Sequence, residues 1–112
     1  MSVISSSMNV SVISPQEAYQ NMKSSDKHIL LDVRTLSEYK DTRIDGAKLI
    51  PANELSSRAP MELPDKHIPI YVYCRSGARA AKAAKLLVNR GYTNVFNLGG
   101  IVNWPYGTVK EI

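Results

Sequence analysis

Cys74 is the one cysteine among 112 residues, and it opens the run Cys74-Arg75-Ser76-Gly77-Ala78-Arg79. A thiol attacks as its thiolate, and nearby positive charge or a helix N-terminus favours that form. Arg75 and Arg79 supply the charge. Gly77 allows the backbone angle and close approach that a nest of N–H groups requires. These residue types at this spacing point to covalent catalysis by an activated nucleophile acting on a small anion. The bland alternative is a buried structural cysteine, since free cysteine is among the most buried residue types. Two arginines and a glycine within five residues are costly company for a purely apolar site, so the nucleophile is the favoured reading.

The charge distribution agrees. The chain carries a net charge of +4, yet Arg75, Arg79, Lys82, Lys85 and Arg90 fall in one stretch without an acid, so the rest is slightly negative. A small anion suits such a local field. Nucleic acid is disfavoured as a partner because no aromatic residues interleave with these cations. Lys82 and Lys85 read as an ordinary exposed helix face. His28 and His67 lie in polar surroundings before strands and read as solvated rather than catalytic. No metal-ligand cluster is visible, so no metal is expected.

The elements that must position this loop follow from patterning. Ile70 to Cys74 is β-branched and aromatic throughout, the clearest strand. Arg79 to Arg90 is the clearest helix, with Ala80, Ala83, Ala84, Leu87 and Val88 at helical spacing and Gly91 just past its end. The loop therefore joins a strand's carboxyl end to a helix N-terminus, where open parallel sheets bind ligands. Upstream, Asn9 to Ile13 alternates like an edge strand. Ser14, Pro15 and Glu17 form a helix start running to about Lys23. His28 to Val33 reads as a buried strand, Leu36 to about Lys40 as a short helix, and Ala47 to Ile50 as a strand stopped by Pro51. Ala52 to Ser57 is expected to be a short helix, and Ala59 to Pro69, with three prolines, a loop with at most one turn. Val95 to Leu98 is the last strand, and the segment around Trp104-Pro105 can begin as a short helix. Strands alternating with helices imply an α/β domain with a mainly parallel sheet and helices on both faces. Residues 1–8 are serine-rich and expected to be disordered; 9–112 read as a single domain.

Composition bounds the class. At 44% hydrophobic and 21% charged, the chain has the mix of a soluble globular protein. A lone cysteine excludes a disulfide scaffold. No apolar run approaches the roughly 20 residues of a membrane-spanning helix. Met1 to Ser14 lacks the pattern of a secretory signal, so a cytoplasmic location without membrane attachment is expected, where a lone thiol stays reduced.

Four segments together resemble the single-domain rhodanese-like sulfurtransferases. Leu30-Leu31-Asp32-Val33-Arg34 followed by Glu38-Tyr39 is similar to that family's Asp-Val-Arg strand and acidic-aromatic helix. Tyr39 to Pro51, through Arg43-Ile44-Asp45-Gly46-Ala47, resembles its first signature. Cys74 to Arg79 matches its six-residue catalytic loop. Leu98-Gly99-Gly100-Ile101 with Trp104 resembles its second signature. Position 43 is Arg where the family usually has His, and position 45 is Asp where Pro is common.

The resemblance implies a rhodanese-like three-layer α/β/α domain around a mainly parallel sheet of about five strands. It implies sulfane-sulfur transfer by double displacement, with no organic cofactor. Cys74 takes sulfur from thiosulfate or a persulfide donor, and a thiophilic acceptor such as cyanide or a thiol removes it. Arg75, Ser76, Gly77, Ala78 and Arg79 would bind the substrate. Asp32, Arg34 and Glu38 would be structural support, with Asp32 and Arg34 pairing with neighbours that include Glu38. A relay module carrying persulfide between proteins shares Cys74 and differs only in partner. A phosphatase or arsenate reductase on the same scaffold is less favoured. Phosphatases that resemble rhodaneses have a longer loop with the arginine one position further on, and here that position is Ala80.

Overall fold

The structure is a computed structural model, and it describes residues 10–111. The expectations for residues 1–8, and for Asn9 at the start of the first strand, lie outside the described residues.

Five strands form one sheet: β1 (Ser11–Val12), β2 (Ile29–Asp32), β3 (Lys48–Leu49), β4 (Ile70–Cys74) and β5 (Val95–Gly100). Their order is β1-β5-β4-β2-β3, and every neighbouring pair is parallel. The four α-helices are α1 (Pro15–Ser24), α2 (Leu36–Asp41), α3 (Leu55–Glu62) and α4 (Ala78–Asn89). Short 3-10 turns occupy Ala52–Glu54 and Ile101–Asn103.

Side chains along a strand alternate between faces, and here each face has its own core. Ile70, Val72 and Cys74 join Leu31 and Val33 beneath α4 (Ala80, Ala83, Ala84, Leu87) and α3 (Leu55, Ala59). Tyr71 and Tyr73 join Leu30 and Leu98 on the other face, with Ala18 of α1 and, partly buried, Tyr39 of α2 and Trp104. The result is the expected three-layer α/β/α sandwich. All five residues of β4 are buried, because this strand is central and covered on both sides.

Local sequence sets the helix ends. Ser14 caps α1, its Oγ accepting from Glu17 N at 3.1 Å, with Pro15 in the first turn. Gly91 follows α4 at φ +94°, a left-handed angle suited to glycine.

Two expectations need correction. The helix placed over Ala52 to Ser57 begins as a 3-10 turn and continues as α3 to Glu62, with Pro60 inside it. The region from Ala59 to Glu62 is therefore helical rather than loop. Pro60 has no N–H to give the Ser56 carbonyl one turn back. Arg90 takes its place: Nη1 donates to Ser56 O at 3.3 Å and Nη2 to Ser56 Oγ at 2.6 Å. The final strand also extends past Leu98 to Gly100. Val72 pairs with Asn97 and Tyr73 with Gly99, so Leu98 is an extra residue in a bulge. Asn97 Oδ1 accepts from Gly99 N at 2.8 Å and Gly99 takes φ +91°, which carries the ladder past the bulge.

Candidate active site

Cys74 is the last residue of β4, paired in register with Gly100 of β5. Arg75, Ser76 and Gly77 then turn the chain into α4. Gly77 is the N-cap residue at φ +113°, and no side-chain cap serves this helix. The cysteine sulfur fills that role: Gly77 N donates to Sγ at 3.0 Å and Ala80 N at 3.4 Å. Ala80 N is one of the first-turn donors left without an intrahelical partner. The helix dipole adds positive potential at the same point. Cys74 is 1% exposed, while Arg75, Ser76 and Ala78 are exposed, so the sulfur forms the floor of an open loop.

The glycine of β5 makes the loop possible. A Cβ on Gly100 would stand 2.7 Å from Ser76 Cα and 2.9 Å from the Arg75 carbonyl carbon. The loop backbone thus lies directly on the end of β5, and Val102 N donates to Arg75 O at 3.4 Å.

Arg79 does not stand free over the loop. Its Nη1 and Nη2 donate to Glu38 Oε1 and Oε2 at 2.8 and 3.0 Å, a bidentate ion pair. Glu38 is fixed in turn by the start of α2. Thr35 Oγ1 accepts from Glu38 N at 3.2 Å, and Glu38 Oε1 accepts from Thr35 N at 2.9 Å, a capping box. Its bonds to Arg79, first of all, hold the Glu38 carboxyl down at about 2, and the same partnership raises Arg79.

Asp32 and Arg34 pair with each other rather than with Glu38. Asp32 Oδ1 accepts from Arg34 N at 2.9 Å and from Nε at 3.0 Å, and Oδ2 accepts from Nη2 at 2.7 Å. The same Nη2 donates to Thr42 O at 2.6 Å, tying the end of β2 to the end of α2. Both side chains are buried. Burial works against the charge on Arg34, but its bond to Asp32 prevails and the guanidinium is raised. It lies 5.5 Å from the centre of the Tyr73 ring, whose hydroxyl accepts from Ile44 N at 3.1 Å and is pushed up by burial.

Spacing along the chain gives no sign of the Glu38–Arg79 bond, since the two residues are 41 apart. Nor does it mark Ala80 as a contributor, because only its backbone takes part. Arg43, where the family usually has His, lies over the Tyr39 ring at 4.4 Å and donates to Glu111 Oε1 at 3.2 Å, away from the cysteine loop. His67 Nδ1 lies 3.0 Å from Thr93 Oγ1 and His28 Nδ1 2.8 Å from Ser25 O, neither at the loop.

A cleft of about 170 Å³ runs along the carboxyl edge of the sheet, lined by Val33, Arg34, Thr35, Pro51, Asn53 and Arg79 among others. A larger cavity of about 330 Å³ lies beside α1, walled by Tyr19, Met22, Trp104 and Tyr106, and includes no loop residue. Of the cysteine loop, Arg79 borders the smaller cleft and Cys74 lines neither. Among the described residues no group of three or more His, Cys, Asp or Glu could hold a metal ion. Among them, too, no helix is long and apolar enough to cross a membrane.

The fold and loop define an open parallel α/β domain with a cysteine at the strand-to-helix turn. Residues 14–105 match the model of the rhodanese-like domain, and the chain belongs to that family. It is 37% identical over 80 residues to the thiosulfate sulfurtransferase PspE of Escherichia coli strain K12, covering 71% of this chain and 77% of PspE. It is 36% identical over 90 residues to the putative sulfur carrier protein YrkF of Bacillus subtilis strain 168, covering 79% of this chain and 48% of YrkF. A solved rhodanese with anions from E. coli superposes with a TM-score of 0.70 at 34% identity, covering 74% of this chain and 98% of that one. Sulfur transfer is the common theme of these relatives.

Proposed function

We propose that the protein moves a sulfane sulfur from thiosulfate or a persulfide donor to a thiophilic acceptor, through a persulfide on Cys74. The observation that carries this reading is the Cys74 sulfur at the floor of its loop, receiving N–H groups from Gly77 and Ala80 at the start of α4. Donors so placed can bind the outer sulfur of a persulfide after reaction. With thiosulfate, the Cys74 thiolate attacks the outer sulfur, the S–S bond of the donor breaks, and sulfite leaves with the bonding pair. The acceptor then attacks the outer sulfur of the persulfide and the Cys74 thiolate is restored. No external oxidant or reductant is consumed.

Arg75, Ser76, Gly77, Ala78 and Arg79 would bind the donor, while the backbone donors at the sulfur are those of Gly77 and Ala80. Asp32, Arg34 and Glu38 brace the edge on which the loop rests. Thiolate attack on sulfur needs no general base once the thiolate is present. The proposed setting is the cytoplasm, and the acceptor is a small thiol or a protein thiol. A sulfur relay between proteins is the second reading, favoured by the likeness to a protein named as a sulfur carrier. A phosphatase is disfavoured by the six-residue loop, where Ala80 stands in place of a seventh-position arginine.

Intact-mass measurement after incubation with thiosulfate or an alkyl persulfide tests the reading. The expected product is heavier by one sulfur atom and returns to its original mass with cyanide or a thiol. Cys74→Ser should form no adduct. Full turnover by that variant would remove the assignment. Slow reaction with thiosulfate but rapid transfer from a persulfidated protein would select the relay.

A further inference from the structure

We propose that Glu38 sets the charge of the sulfur donor: by engaging Arg79 it discriminates against dianions and favours persulfides of lower charge. This rests on the sulfur-transfer reading above. The loop sequence offers two guanidiniums, those of Arg75 and Arg79. Glu38 binds Arg79 with both carboxylate oxygens, at 2.8 and 3.0 Å, leaving neither of the two oxygens idle. Arg75 has no such partner among the described ion pairs. The cysteine loop and its immediate clamp therefore carry about one net positive charge rather than two.

The two candidate donors make different demands on that charge. With thiosulfate, Cys–S⁻ and S–SO₃²⁻ give Cys–S–S⁻ and SO₃²⁻, so three negative charges must share the site throughout. With a persulfide of uncharged R group, the protonated form is the electrophile: Cys–S⁻ and R–S–SH give Cys–S–SH and R–S⁻, and even the ionised donor R–S–S⁻ brings one negative charge where thiosulfate brings two. In each case one S–S bond forms and one breaks, and the pair leaves on sulfite or on the thiolate. One net cation matches the second case and falls short of the first. Like charges brought together in a partly desolvated loop repel strongly, and Glu38 occupies one of the two guanidiniums that could offset them.

The clamp is built to persist. Glu38 is the third residue of α2 and reciprocates the Thr35 cap, so its backbone and side chain are fixed before Arg79 arrives. Its carboxyl stays charged at neutral pH, since its bonds to Arg79 hold it down at about 2. Asp32 cannot release it by taking Arg79 instead, because both its oxygens serve Arg34.

Glu38→Gln tests this. Glutamine at the third helical position still accepts from the cap residue's N–H, so α2 keeps its capping box. The second-order rate of Cys74 persulfidation is followed by intact mass with thiosulfate and with a persulfide whose alkyl group is uncharged. Glu38→Gln is expected to raise the thiosulfate rate by about tenfold at low salt, a gain that shrinks as ionic strength rises. The gain with the alkyl persulfide should be at least fivefold smaller. Glu38→Asp keeps the charge and should stay close to the parent protein in its donor ratio. An unchanged thiosulfate rate, an equal gain with both donors, or a Glu38→Asp variant that behaves like Glu38→Gln would each overturn the proposal. Alkylation of Cys74 by iodoacetate and by neutral iodoacetamide separates this claim from sulfur transfer itself. If Glu38→Gln favours iodoacetate selectively while no donor forms a sulfur adduct, the charge discrimination stands and the sulfur-transfer reading falls. If adducts form but neither anion gains, the reverse holds.

Discussion

Gly100 supports the backbone of Arg75 and Ser76 directly, with no space between the end of β5 and the cysteine loop for even one methyl group. Its φ of −117° is ordinary extended backbone, so close approach alone requires glycine here. Gly100→Ala should cost about 1–3 kcal/mol, as overpacking does when the neighbour is rigid main chain. Because the displaced atoms belong to the loop, Cys74 persulfidation should slow as well. Urea unfolding and the adduct rate, measured on the same variant, check both halves. Parent-like values in both would mean the loop shifts without strain.

The buried pair Asp32–Arg34 has a different energetic signature. Asp32→Asn leaves the Arg34 guanidinium 3% exposed with its charge unanswered. Removing one partner of such a pair costs about 3–5 kcal/mol, whereas replacing both by apolar groups is far milder. Asp32→Asn should therefore be strongly destabilised in urea, and a second change, Arg34→Leu, should recover part of the loss. A double variant worse than the single one would show that the bond from Arg34 to Thr42 O matters more than the charge balance.

Acid stability reports on Glu38. Its carboxyl lies at about 2 in the folded protein against an ordinary 4.5, because Arg79 and then Thr35 bind the ionised form. A depressed folded value means the unfolded chain takes up the proton first. The stabilisation is present above about 4.5 and is lost as the pH falls toward 2. Glu38→Gln should be less stable than the parent at neutral pH, and the two should converge as the pH falls to about 2. Stability curves that stay parallel from pH 6 to pH 2 would show that the ion pair contributes no linkage.

Pro60 and Arg90 should be coupled through Ser56. Arg90→Met removes the donor that serves Ser56 O in place of the missing proline N–H. In the parent this should cost about 1 kcal/mol. In a Pro60→Ala background the new N–H can take the carbonyl, and the cost should fall by about half. A double-mutant cycle measures the difference directly. Equal costs in both backgrounds would mean that water satisfies Ser56 just as well.

Much of the site is local and could be read from the chain. β4, the loop and α4 are contiguous, and each has a strong pattern: β-branched and aromatic residues, then glycine, then alanines at helical spacing. The cap at Ser14 is equally local. The partner of Arg79 was not legible, because a guanidinium pairs with whichever carboxylate the fold brings near, and Glu38 comes from a different layer. Asp32 and Arg34 were expected to look outward to neighbours, but a two-residue separation at a strand end lets the carboxylate reach both the backbone and the side chain of Arg34. Pro60 misled because its cost is offset by Arg90, a residue 30 positions away. The bulge at Leu98 shifts the ladder by one residue, an event that alternation in a single strand does not reveal.

The sheet's two outermost strands are each only two residues long: Ser11–Val12 at one border and Lys48–Leu49 at the other. Each offers few unsatisfied backbone groups to an approaching chain, although Val12 is 82% exposed. At the second border Pro51 follows closely and brings no N–H, while Lys48 adds a charge held by Glu62 at 3.1 Å. Such blunt borders oppose edge-to-edge strand pairing between molecules. A fully buried, strongly apolar strand like β4 is safe while it remains central, so resistance to aggregation depends on these two short flanks as much as on global stability. Lengthening either one, by extending its run of β-branched residues, should make the protein prone to self-association with Cys74 untouched.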